Sequence, residues 1–120
     1  RGPLRKEKDV KKVMNYQNEP IMAYQDADLD ELATVIAHAA MLWHAEWKKK
    51  GGEDKGTCCG GKGIKVPYIG PRKRNYEYKN IVHCNWVQGN VSAYESVGPA
   101  LEFLKKQGIE TATYNDGWMD

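Results

Sequence analysis

Between Leu29 and Trp47 apolar residues recur every three or four positions, at Leu29, Leu32, Ile36, Ala39, Trp43 and Trp47, which lines one face of an α-helix. The pattern predicts a main helix over 29–49. Asp28 stands where a side chain can accept the first unpaired amides, and Glu31 follows three residues later as in a capping box. Lys48, Lys49 and Lys50 suit the negative end of the helix dipole, and Gly51 with Gly52 supplies the stop.

Strand signals are shorter. Pro20 leads into an extended stretch at 21–24, because proline pushes its neighbour out of helical geometry. Residues 64–69 read as a strand that Pro67, having no amide proton, restricts to an edge or a bulge. In 76–87, counting by twos places Tyr76, Tyr78, Val82, Cys84 and Trp86 on one face. Pro99 opens a second helix with Leu101, Phe103 and Leu104 as its buried stripe and Gly108 as its left-handed stop, so that the residues before Pro99 form a turn. A last strand at 109–114 completes a strand-helix-strand unit, and Asn115, Asp116 and Gly117 turn the chain.

Residues 1–15 form a basic flexible arm, and the Gly/Lys-rich stretch at 51–63 lacks any period and reads as a loop. The expectation is one small α+β domain over 16–120, with helix 29–49 packed on a short sheet. Its 120 residues suffice for one core, and 41% apolar with 28% charged residues is a globular balance. Asp30, Glu31, His38, His44 and Glu46 interrupt the most apolar run too often for a bilayer, so no membrane partner is expected.

A net charge of +2 selects no partner by itself, but its distribution does. Basic residues crowd 48–79, and acidic ones dominate the last quarter. Within the basic stretch Lys65, Arg72, Lys73, Arg74 and Lys79 alternate with Tyr68, Tyr76 and Tyr78. Cations neutralise phosphates while tyrosine rings stack on unpaired bases, so these eight residues are the candidate surface for single-stranded RNA or DNA. An acidic protein surface is the alternative partner.

Cys58, Cys59, His83 and Cys84 contain enough ligands for a tetrahedral zinc ion, yet adjacent cysteines lack the spacing that aims both sulfurs at one metal. No cofactor is the expectation, with zinc as the alternative. His44 and Glu46 are spaced as in the zinc deaminase signature, but the Pro-Cys-x-x-Cys that must follow is missing. A thiol nucleophile assembled from Cys84 or Cys58 with His38, His44 or His83 would support a small Cys/His enzyme. His83 and Cys84 face opposite ways on a strand, however. Gly60, Gly61, Lys62 and Gly63 could cradle phosphate but do not match a P-loop.

Arg72–Arg74 could be a processing site and Asn90-Val91-Ser92 a glycosylation sequon, which together would suit a secreted effector with one disulfide. Three cysteines without a framework favour reduced thiols and a cytoplasmic setting over that one. Trp43, Trp47 and Trp86 are expected in the core, and Trp118 as a docking residue.

Overall fold

The computed structural model describes residues 11–57 and 59–119. Its elements are β1 (Lys11–Met14), β2 (Pro20–Ala23), α1 (Asp26–Glu31), α2 (Ala33–Lys49), β3 (Cys59–Gly60), β4 (Gly63–Tyr68), β5 (Glu77–His83), α3 (Asn90–Ser96), α4 (Gly98–Lys106), β6 (Thr113–Asn115) and β7 (Trp118–Met119). They make the expected α+β domain. Of the basic arm, residues 1–10 lie outside the described part, and Lys11–Met14 form β1.

The main helix begins earlier than its apolar period indicates. Asp28 is not the cap but the third residue of α1, where its buried carboxylate accepts the Gln25 amide at 2.8 Å. The first three residues of α1, Asp26, Ala27 and Asp28, place no large apolar side chain on the core stripe, so periodicity cannot register them. At Leu32 the helix breaks and resumes as α2. Gly51 and Gly52 end α2 as expected: both have positive φ, and their amides reach back to the carbonyls of Lys48 and Trp47. Gly108 ends α4 in the same way, with Ile109 N–H donating to Leu104 C=O at 3.0 Å.

β4 is the centre of the main sheet, with order β5-β4-β6 and both neighbours antiparallel to it. Pro67 is expected to restrict this strand to an edge or a bulge; the strand is instead central, its irregularity lies at Ile64/Lys65 rather than at the proline, and the structure shows why. Tyr24 N–H donates to the Pro67 carbonyl, so the proline nitrogen points to the same side, where pairing with β6 has already stopped at Lys65. No ladder bond is lost there. Because β5 and β6 are both antiparallel to β4, they run parallel to each other. The helices between them complete a strand-helix-strand unit that spans the central strand.

The residues before Pro99 are not a turn. They form α3, which ends at Ser96, and α4 restarts at Gly98 so that Pro99 falls in a first turn where no amide is needed. Helix α2 lies against α3, α4 and β5, and the core between them gathers Trp43, Ile64, Val66, Val82, Ala93, Leu104 and Ile109. The last strand is shorter than its sequence suggests, since Ile109 and Ala112 are buried ahead of β6 rather than paired within it.

One irregularity decides the site. Ile64 pairs with Val82 but Lys65 pairs with Asn80, leaving Ile81 as a bulge. The extra residue reverses the alternation of side chains, so Val82 shares the helix-covered face with Lys79, and Tyr78 points to the other. A single face holding both Tyr78 and Val82 is therefore corrected to two faces.

Candidate nucleic-acid interface

The bulge divides the eight basic and tyrosine residues. On the open face Lys65 holds its ammonium 4.9 Å from the centre of the Tyr78 ring, and Tyr78 meets Tyr76 edge to face at 5.7 Å. Tyr68 and Lys79 lie on the face that the helices cover. Their partner there is Asp26 at the start of α1: the Tyr68 hydroxyl donates to its carboxylate at 2.8 Å, and the Lys79 ammonium stands 3.8 Å from the same oxygen and 4.4 Å above the Tyr68 ring. The bond to Asp26 is also what raises the Tyr68 phenol above its ordinary value, ahead of burial.

Arg72, Lys73 and Arg74 occupy the β4–β5 connection, and all three are exposed. The turn is closed by Lys73 N–H on Gly70 C=O at 3.3 Å, with Pro71 second and Arg72 third. Arg72 in that third place has φ 61°, left-handed backbone of the kind a type II turn uses. Glycine would take it without strain, whereas an arginine there costs about 1–2 kcal/mol.

A fourth tyrosine joins the open face. Tyr16 is 90% exposed at the tip of the β1–β2 hairpin and lies 5.9 Å from Tyr76. The tip is shaped by Asn15, whose Oδ1 accepts the amides of Gln17 and Glu19 at 2.9 and 2.8 Å, and by Asn18 in the left-handed region at φ 59°. Nothing in the sequence links residue 16 with residue 76. The Tyr76 phenol is raised by desolvation first, and then by the neighbouring Tyr78 and Tyr16.

The glycine-rich candidate for phosphate is engaged elsewhere. Gly60 pairs with β7, Gly61 C=O accepts the Asn80 side chain at 2.8 Å, and Lys62 is buried. The start of the loop is docked on the N-terminal end of α3. Asp54 accepts the Gly89 amide at 2.6 Å, Ser92 Oγ accepts the Lys55 amide at 2.7 Å, and Asn90 Oδ1 accepts the Thr57 amide at 3.0 Å. Those bonds also engage the sequon, since Ser92 is buried and Asn90 Nδ2 donates to Asp116 at 3.3 Å.

Cys58 and the Cys59 side chain lie outside the described residues. Of the other two zinc candidates, His83 is exposed and Cys84 buried. Burial pushes the Cys84 thiol up to about 11, against a smaller lowering by Lys62, so at neutral pH it is a protonated thiol and a poor nucleophile. Among the described residues no group of three or more His, Cys, Asp or Glu side chains is gathered for a metal. His44 lies edge-on to Trp86 at 5.2 Å, and Glu46 pairs with Lys50 at 3.8 Å, so the two diverge into separate contacts. Among the described residues no helix is long and apolar enough to cross a membrane.

Comparison with protein families, curated proteins and solved structures finds no match to this chain.

Proposed function

We propose that the protein contacts single-stranded nucleic acid through the open face of its sheet, where Tyr16, Tyr76 and Tyr78 stack on bases and Lys65 with Arg72–Arg74 meets phosphates. The observation that carries this reading is the run of ring contacts, 5.9 Å from Tyr16 to Tyr76 and 5.7 Å from Tyr76 to Tyr78, on the face of β5 opposite Val82. Tyr16 and Tyr78 keep ring surface in solvent. Stacking of this kind contributes about 1–3 kcal/mol per base and is indifferent to sequence, so the expected mode is shape- and charge-driven rather than base-specific. Arg72 in its left-handed turn supports the reading, because the chain holds a cation at the site's edge in a conformation that favours glycine. Tyr68 and Lys79 are outside this surface and serve the packing of α1.

The test is fluorescence anisotropy with labelled single-stranded RNA and DNA of about a dozen nucleotides across a salt series. Binding in the micromolar range or tighter at low salt is expected. For three or four phosphates neutralised, log affinity should fall against log salt with a slope of about −2 to −3. Absence of binding at low salt overturns the proposal.

A further inference from the structure

A second surface shares no residue with the tyrosine face. Between α3 and β6 lies an open groove of about 480 Å³, lined by Asn90, Val91, Tyr94, Glu95, Tyr114 and Asp116. Its size is that of a ligand cleft, about 300–1,000 Å³. Val91 and Tyr94 are exposed large side chains on α3, and Tyr94 meets Tyr114 at 5.5 Å with the rings 65° apart. Tyr114 is held from below, edge-on to the buried Trp43 at 6.1 Å and with its hydroxyl donating to the Asn90 carbonyl at 3.3 Å. The groove thus has one fixed ring, one exposed ring and two carboxylates.

The charge of the lining decides the class of ligand. The amides of Gly89, Asn90 and Ser92 at the start of α3 are already given to Asp54, Thr57 and Lys55, so these three are not offered to an anion. Glu95 is paired with Lys55 at 3.2 Å. Asp116 takes a bond from Asn90 Nδ2 and forms no ion pair among the described residues, which makes it the principal anion of the groove. Ring faces beside a carboxylate attract cations, and a planar guanidinium can stack on tyrosine while its N–H groups reach an acid. We propose that this groove binds an arginine side chain presented by a short basic peptide segment of a protein partner.

The test is a titration of the full chain at low salt with a blocked peptide containing one arginine, followed by calorimetry and by the aromatic NMR signals of Tyr94. The control peptide carries citrulline in place of arginine, keeping the plane and removing the charge. Saturable binding of the arginine peptide, weakened about fivefold or more in both Tyr94→Ala and Asp116→Asn and absent for citrulline, is the expected result. Tyr94 is 65% exposed, so its substitution leaves the core intact. Any of three results overturns the proposal: no binding at low salt, equal binding of the citrulline peptide, or affinity unchanged in both variants. The tyrosine-face reading stands or falls separately, because neither variant alters that face.

Discussion

Ser96 Oγ accepts the indole N–H of Trp43 at 3.1 Å, joining two helices across 53 residues of chain. The same N–H reaches the Ala93 carbonyl at 3.1 Å, so the largest fully buried side chain among the described residues brings its one polar atom into the core with two acceptors. Ser96 in turn donates to Ser92 C=O at 2.8 Å, which ties the α2–α3 contact to the short helix itself. In Ser96→Ala the Ala93 carbonyl remains, and a loss of about 0.5–1.5 kcal/mol is expected. Trp43→Ala opens a cavity and should remove about 3–5 kcal/mol. Urea denaturation of both variants measures the difference; equal losses would mean that the hydrogen bond, not the volume, dominates.

Gly89 and Gly56 fasten the 51–57 segment to α3. A methyl group on Gly89 would stand 2.0 Å from the Lys55 carbonyl, and one on Gly56, at φ 105°, would stand 2.4 Å from Asn90 Oδ1. Gly89→Ala must therefore lift the segment off the helix and release the amides that Asp54 and Thr57 hold. The expected outcome is a loss of about 2 kcal/mol or more, together with new protease cleavage between Gly51 and Thr57. Cleavage no faster than in the parent would show that the segment is held by other contacts.

The features legible in the sequence are those that local chemistry sets. The α2 stripe follows from a 3.6-residue period, and the stops at Gly51 and Gly108 follow from the need for positive φ. Trp43 is in the core because it falls on the apolar stripe of α2, where it is fully buried. Pro99 correctly opens a helix, but the apolar pattern does not announce the second helix just before it, since α3 buries Ser92, Ala93 and Ser96, leaves Val91 and Tyr94 exposed and is only seven residues long. The candidate site is less legible for the same reason that its geometry matters. A bulge at Ile81 leaves no residue-type signature, yet it separates Tyr78 from Val82, and Lys65 from Lys79. The contact of Tyr16 with Tyr76 is tertiary and spans 60 positions.

Cys84 gives the fold a pH dependence of known sign. Burial raises its folded-state value to about 11 from the usual 9.0, so the neutral thiol is the form that the core accepts. The contribution is fully present below the unfolded value and is lost as pH rises from about 9 through about 11, at about 1.4 kcal/mol for each pH unit crossed between the two values. Cys84→Ala should flatten the stability profile over that window while changing it little between pH 6 and about 8. Alkylation at neutral pH, read at Cys84 by mass spectrometry, should be slow in the native protein and fast in urea. Rapid native modification would contradict the burial of this thiol.

The division of the tyrosines between two faces gives the sharpest prediction for the proposed interface. Tyr68 and Tyr78 are ten residues apart, both carry a lysine ammonium over the ring, and composition cannot tell them apart. Only Tyr78 and its neighbours Tyr76 and Tyr16 lie on the open face, whereas Tyr68 is bound to Asp26. Tyr78→Ala should weaken single-strand binding by about 1–3 kcal/mol, which is about 5- to 160-fold, with little change in the salt slope. Removing the three cations of 72–74 should do the converse, lowering the slope by up to about 2 while leaving the stacking contribution in place. Tyr68→Phe should leave affinity unchanged and remove only the bond to Asp26, with a small loss of stability. Anisotropy on the three variants at two salt concentrations reads the binding effects, and urea denaturation reads the last. If Tyr68→Phe were the variant that lost binding, the interface would have to lie at the α1 end of the sheet, and the open face would be ordinary solvated surface.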